Sequence, residues 1–423
     1  MTHTSLSTRS AGRSLAPDLA RGLMLLLIAL ANVPAFLAGN RSAMGFSHPE
    51  GMQGADLVWQ IFSIITIDAR SYPLFAFLFG YGIWQSYRRQ AAAGTAQREA
   101  TRLLQRRHLW MIFIGAVHAT LLWHGDVVGA YGLLGLLLVW LFLDRADTTL
   151  RIWCIVLIAF LAVSAVMALV SAAALSFAPM ALPELPSDLL PNPNLTPLYL
   201  LSMGDRMVLW FLATLGAPLM MTLPAAMLLG VLAARHRLLD DPGQHRRLLS
   251  QVAVVGIATG WLGGLLSAAV FAGWAPMGID LAWAIPSWHQ FTGLAGGIGY
   301  AAAFGLLAHR IQQRGIGPIA RAVQSVGKRS LSNYLGQSIV FAPLLSAWGL
   351  GLGAVLSPWQ AALLALATWL VLLVISAILE SRGVRGPAEW LLRKLAYRHR
   401  PVAPPAPVGT GGLTDANPTT LPG

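Results

Sequence analysis

The sequence predicts an all-α, polytopic integral membrane protein with about ten transmembrane helices and both termini in the cytoplasm. Three observations lead there. Of its 423 residues, 56% are hydrophobic and only 11% are charged, whereas an ordinary soluble domain carries roughly 25% charged residues. Apolar runs of roughly 20 residues, the length that crosses a bilayer, recur along most of the chain. Lysine and arginine concentrate in alternate loops, which is the pattern of the positive-inside rule.

The candidate spans are 18–38, 57–87, 108–124, 126–144, 152–178, 206–234, 249–273, 287–309, 330–350 and 358–380. The first has no convincing cleavage site after it, so it reads as a retained helix and not a signal peptide. The second is too long for one straight crossing. Asp68, Arg70 and Pro73 interrupt it, which predicts an interfacial half followed by a true span, or a kinked helix. Only His124, Gly125 and Asp126 separate the third from the fourth, a tight hairpin. With the termini inside, the inner segments and Arg21 hold 26 of the 29 lysines and arginines. Arg41, Arg70 and Arg206 are the exceptions. An odd number of spans would spoil the alternation.

The domain organisation that follows is a cytoplasmic segment 1–17, a single transmembrane domain 18–400 and a disordered cytoplasmic tail 401–423. The tail is rich in Pro, Gly and Thr. Prolines throughout 179–205 predict an extended outer loop. Trp274, Trp283 and Trp288 flank another outer loop and suit an interfacial belt. The net charge of +12 would admit nucleic acid as a partner, but its dispersal between apolar runs argues against that. The lipid bilayer is the expected partner and the inner or plasma membrane the expected location. The single cysteine, Cys154, lies inside an apolar run and reads as a core residue.

Polar groups at membrane depth are costly and mark function by default. Asn32 lies near the outer end of the first helix. His48 follows in the outer loop, with Glu50 and Asp56 close behind. Asp68 and Arg70 break the second segment, His118 lies in the third, and His124 and Asp126 form the hairpin. His289 opens the eighth segment. A histidine oriented by a carboxylate is the usual general-base arrangement. His48 assisted by Glu50 or Asp56, with Asn32 as oxyanion donor, is one such reading; a solvated loop histidine is the other. His118 reads as a structural hydrogen-bonding residue or a site residue, and His124–Asp126 as a polar turn or a site. Asp68 and Arg70 either line a cavity or form an ion pair that pins the kink. No histidine spacing points to a metal. The glycines of 293–299 read as close helix packing and not as a dinucleotide site.

The order of several blocks resembles the YeiB-like family of bacterial membrane proteins (domain of unknown function 418). They are Asp18-Leu-Ala-Arg-Gly22 with Asn32; Leu74-Phe-Ala-Phe-Leu-Phe-Gly-Tyr-Gly82; Arg106-Arg-His, Gly115-Ala-Val-His118, Gly125-Asp126 and Tyr131-Gly132; and Gly327-Lys-Arg-Ser-Leu-Ser-Asn-Tyr334, Gln337-Ser338 and Arg385-Gly-Pro-Ala-Glu-Trp390. That family is similar to transmembrane acyltransferases of the heparan glucosaminide N-acetyltransferase type. The resemblance implies transfer of an acyl group from cytosolic acyl-CoA, a co-substrate and not a resident cofactor, to an extracytoplasmic acceptor such as a glycan or lipid. It implies active-site roles for Asn32 and His48, and it would place CoA phosphates against the basic loops 88–107 and 309–330. A secondary transporter and a non-catalytic assembly protein are the competing expectations.

Overall fold

The computed structural model describes residues 15–39, 46–177, 192–274 and 284–397. Among these the regular structure is helical throughout. Helix α1 is Leu15–Asn32, α2 Gly54–Thr66, α3 Ser71–Ala92, α4 Gln97–Leu121, α5 Val128–Leu141, α6 Asp147–Phe177 and α7 Tyr199–Gly216. Helix α8 is Thr222–Arg235, α9 Arg246–Phe271, α10 Ile285–Arg314, α11 Pro318–Lys328, α12 Ser330–Leu345, α13 Pro358–Ser381 and α14 Pro387–Ala396. Local chemistry sets several ends. Pro286 and Pro358 sit in the first turns of α10 and α13, where a missing N–H costs nothing. Gln360 accepts from the Ser357 backbone N–H at 3.0 Å as half of a capping box. Pro34 turns the chain out of α1 into a short 3-10 turn, Val33–Phe36.

Seven segments among the described residues are long and apolar enough to cross a membrane: Leu15–Phe36, Gly54–Ala92, Asp147–Leu175, Tyr199–Leu219, Arg246–Phe271, Ile285–Arg314 and Pro358–Ser381. This is a multi-pass membrane protein. The other expected spans are occupied by shorter or more charged helices. Helix α4 begins with a basic half, and α5 and α12 have 14 and 16 residues. The expected single span 206–234 is corrected: it is two helices, α7 and α8, separated by the 3-10 turn Ala217–Leu219. Pro218 and Pro224 favour that break. The expected outer loop 179–205 likewise ends early, because helix resumes at Tyr199. Of the proposed tryptophan belt, Trp283 lies outside the described residues, as does the tail 401–423.

The bundle is inverted relative to a soluble protein. Large apolar side chains of α6, α9 and α13 face outward, among them Ile155, Phe160, Val163, Val254, Leu262, Val371 and Val374. Arg70, Arg206, His108 and Gln60 are fully buried. Glycines let the helices approach closely, the usual device where lipid supplies no hydrophobic drive. A Cβ on Gly80 of α3 would lie 2.2 Å from the Met227 carbonyl oxygen of α8, and one on Gly230 of α8 would lie 2.0 Å from that of Phe77. Gly327 of α11 backs onto the Asp18 carbonyl of α1, where a Cβ would be 1.8 Å away.

Candidate active site

The break in the second apolar segment builds the first half of the site. Helix α2 ends at Thr66 and α3 starts at Ser71. Between them Ala69 adopts φ +57°, a left-handed conformation that costs a non-glycine residue free energy and clusters at functional sites. Pro73 does not make the break; it lies inside the first turn of α3. The turn delivers Asp68 and Arg70 in opposite directions.

Asp68 meets His48. The His48 Nε2 is 2.7 Å from Asp68 Oδ2, and Ser63 Oγ donates to the other carboxylate oxygen at 3.1 Å. An ionised carboxylate only accepts, so Nε2 carries the proton and Nδ1 has the lone pair. That Nδ1 is buried and has no hydrogen-bond partner among the described residues. The expected partners of His48 are therefore corrected. Glu50 is exposed, and Asp56 accepts from the Trp359 backbone N–H at 3.0 Å.

Arg70 turns the other way and does not form an ion pair that pins the kink. Its guanidinium donates to the backbone carbonyls of Ile64, at 2.9 Å, and of Asp68 and Gly260. It also donates to His289 Nε2 at 2.9 Å. Since Arg cannot accept, His289 Nε2 must, and the Nδ1–H is left to donate to Ser267 Oγ at 3.0 Å. The side chain occupies a slot made by glycines of α9 and α10. A Cβ on Gly264 would lie 2.5 Å from the Arg70 Nη2, and one on Gly296 2.8 Å from its Cγ. Close packing thus explains Gly293, Gly296, Gly297 and Gly299 as expected, and the arginine explains why the packing must be that close.

The hairpin builds the second half. His118 Nδ1 lies 2.6 Å from Asp126 Oδ2, while Asp126 Oδ1 accepts from the Gly129 N–H at 2.9 Å and the Trp210 Nε1–H at 3.2 Å. His118 thereby holds its Nε2 lone pair buried without a protein partner, the same state as His48 Nδ1. Two histidine–aspartate pairs result, one from each break in the helical run.

A cavity of about 420 Å³ joins them. Asn32, Asp68, His124, Asp126 and His289 all line it, together with Tyr72 and Tyr131. His48 and His118 stand behind their aspartates and are not in its wall. Asn32 ends α1, and its side chain does not cap the following turn.

A second, smaller cavity of about 190 Å³ lies toward the other face. Arg21, Arg89, Arg107 and Lys328 line it against the single carboxylate Glu389, beside Tyr334. Phe75 and Tyr131 line both cavities. Their rings meet edge to face, centroids 4.5 Å apart at 84°, and the Tyr131 hydroxyl donates to the Tyr72 carbonyl at 2.9 Å. Phe75 and Tyr131 therefore stand between a basic pocket and a pocket lined by Asp68, Asp126, His124 and His289. Arg89, Arg107 and Lys328 fall within the basic loops 88–107 and 309–330 that the resemblance sets against CoA phosphates, and Arg21 does not. The sequence signal for Arg21, Arg107 and Lys328 is their place in the blocks Asp18–Gly22, Arg106–His108 and Gly327–Tyr334, which are scattered in sequence and converge here.

Residues 233–399 match the family model described as "Protein of unknown function (DUF418)". Through this region the chain is similar to the DUF418 family. It is also similar to the uncharacterised protein YxaH of Bacillus subtilis (strain 168), 28% identical over 350 residues, which covers 78% of this chain and 80% of YxaH. An uncharacterised 39.9 kDa protein in the amylase 3′ region of Bacillus acidopullulyticus is 30% identical over 141 residues, 33% of this chain and 37% of that protein. The DUF418 region contributes His289, Lys328, Tyr334 and Glu389. Asn32, Phe75, Tyr131 and both histidine–aspartate pairs come from the chain before it, so the site spans the boundary of the DUF418 match.

Proposed function

We propose that this protein is a transmembrane acyltransferase of the bacterial plasma membrane. It would take an acyl group from cytosolic acyl-CoA and pass it to an extracytoplasmic hydroxyl or amine, on a glycan or a lipid. The observation that carries the reading is the pair of cavities separated only by Phe75 and Tyr131. A transmembrane acyl transfer needs an anion-binding donor pocket on one side, a proton acceptor on the other and a thin wall between them.

The basic pocket lies on the face that the lysine and arginine bias assigns to the cytoplasm, and its four cations suit the phosphates of CoA. The acceptor enters the outer cavity. Its hydroxyl or amine attacks the thioester carbonyl, forming a C–O or C–N bond. The proton passes to the Asp68–His48 pair, whose aspartate stabilises the imidazolium. Asn32 donates to the oxygen that becomes negative. Collapse of the tetrahedral intermediate breaks the C–S bond, and the CoA thiolate leaves and is reprotonated. His118–Asp126 orients the far wall, and Arg70 fixes the His289 ring that lines the cavity.

The experiment is a thermal-shift titration of the purified protein with acetyl-CoA and longer acyl-CoAs, followed by transfer from labelled acyl-CoA in vesicles. Stabilisation that weakens in Arg107→Gln and Lys328→Gln supports the reading. No stabilisation by any acyl-CoA would overturn it. In that case a secondary transporter becomes the better reading. The helix breaks at 67–70 and 217–221 both border the outer cavity, as they would in a transporter site built from discontinuous helices.

A further inference from the structure

A third cavity, larger than either of these, takes no part in this chemistry. It has a volume of about 550 Å³ and lies between α5, the start of α6 and α8. Its walls are apolar, with Leu138, Phe142, Trp153, Met221 and Met227 prominent, and its polar side chains are Arg145 and Thr149. Helix length explains it. Helices α5 and α8 have 14 residues each and α6 has 31. At 1.5 Å per residue that is about 21 Å against about 46 Å, beside a hydrocarbon core of about 30 Å. The break at Pro218 lets the chain turn away instead of filling the remaining height. A long helix beside two short ones leaves a crevice that the protein does not close.

Neither vacuum nor isolated water is stable against such walls within a bilayer, so hydrocarbon fills it. The crevice is polar at one end only. That end is lined by Arg145 and Thr149, with Asp144, Asp147 and Arg151 beside them along the chain. Asp147 is already held by Arg235 at 2.7 Å and His236 at 3.1 Å, and Asp144 accepts from the Tyr87 hydroxyl at 3.4 Å. Arg145 is exposed, and its Nε donates only within its own chain, to the Leu141 carbonyl at 3.3 Å. The closed end is the turn 217–221, the back of which (Ala217, Met220) walls the outer cavity.

We propose that this crevice binds an anionic phospholipid of the cytoplasmic leaflet. One acyl chain lies along α8 and ends at Pro218 and Met221, and the headgroup phosphate sits against Arg145. The proposal goes beyond the acyltransferase reading and stands without it, since it rests on helix lengths, wall chemistry and rim charge.

The test is native mass spectrometry of the full-length protein released from detergent after titration with phosphatidylglycerol or phosphatidylcholine of equal chain length, with melting temperatures alongside. We expect tighter retention of, and greater stabilisation by, phosphatidylglycerol. Arg145→Gln should weaken phosphatidylglycerol about fivefold, the effect of one basic residue at an anionic surface, and leave phosphatidylcholine unchanged. Leu137→Trp, which fills the crevice from a half-buried position, should reduce retention of both lipids while the protein still melts cooperatively. Equal affinity for the two lipids, or unaltered phosphatidylglycerol binding in both variants, would overturn the proposal. So would displacement of the bound lipid by palmitoyl-CoA but not by acetyl-CoA, which would give the crevice to the donor's acyl chain.

Discussion

His48 and Asp68 are 20 positions apart in sequence and 2.7 Å apart in space, and at the scale of single residues most of the expected chemistry depends on that contact. The pair meets the cavity through Asp68, the member that lines it, while His48 behind holds the carboxylate through Nε2. A general base contributes about 10²–10⁴-fold in rate, so His48→Ala should lower acyl transfer in vesicles by that order while leaving acyl-CoA binding intact. Asp68→Asn should do nearly as much. Asn32→Ala should cost about 10²–10³-fold. Glu50→Gln should change nothing, as Glu50 faces away from the pair. Wild-type turnover in His48→Ala would remove this histidine from the mechanism and turn attention to His118. Arg70 gives a different kind of prediction. Its guanidinium satisfies three backbone carbonyls and one imidazole, and removing a partner from a buried charged network costs about 3–5 kcal/mol. Arg70→Met should therefore lower the melting temperature in detergent sharply. Arg70→Lys should recover little, because an ammonium lacks the planar fork that reaches Gly260 and His289 together. An Arg70→Met protein as stable as wild type would show the slot to be dispensable.

Two helix breaks decide the site at the scale of elements. One, at 67–70, splits α2 from α3 and aims Asp68 at the outer cavity. The other, at 217–221, splits α7 from α8 and forms both the floor of that cavity and the end of the lipid-facing crevice. Glycine contacts hold the broken pieces against their neighbours. The same substitution should thus have opposite effects in different helices. Gly264→Ala puts a Cβ 2.5 Å from Arg70 Nη2 and 2.8 Å from the Ile65 Cα, and overpacking of that kind costs about 1–3 kcal/mol. Gly204→Ala, in α7, meets nothing within 4 Å and should be neutral or gain about 0.5–1 kcal/mol from helix propensity. Paired melting curves in one detergent check both. A Gly264→Ala protein as stable as Gly204→Ala would mean that α9 and α2 can part without cost.

Across the whole molecule, charge sets orientation and burial explains the exceptions to it. Of the three basic residues outside the inner segments, Arg41 lies outside the described residues, while Arg70 and Arg206 are both fully buried. Arg206 Nε donates to the Thr120 carbonyl at the end of α4 at 3.0 Å, and its guanidinium lies 5.0 Å and 5.2 Å from the ring centres of Tyr199 and Trp348. Neither arginine is a free loop charge that would oppose insertion. Both termini are accordingly expected in the cytoplasm. A reporter fused after Arg400 should be active only there, and one inserted in 179–191 only outside. Periplasmic activity of the first fusion would reverse the orientation and exchange the donor and acceptor sides.

The sequence by itself determined that this is a helical membrane protein and that its second apolar segment breaks near Asp68 and Arg70. Those properties follow from composition and hydropathic length, which act on each segment separately. It also placed Asn32, His124, Asp126 and His289 among the candidates, since a polar residue in an apolar run stands out whatever it touches. Only the tertiary structure decided the partners. Glu50 and Asp56 are the nearer carboxylates to His48 along the chain, yet Asp68 takes the contact, because the left-handed turn at Ala69 swings it back toward the loop. Tertiary structure also decided that Phe75 and Tyr131, ordinary core aromatics by sequence, form the one layer between a basic pocket and a histidine-bearing one. A wall shared by two cavities is a property of packed helices and has no signature in any single segment.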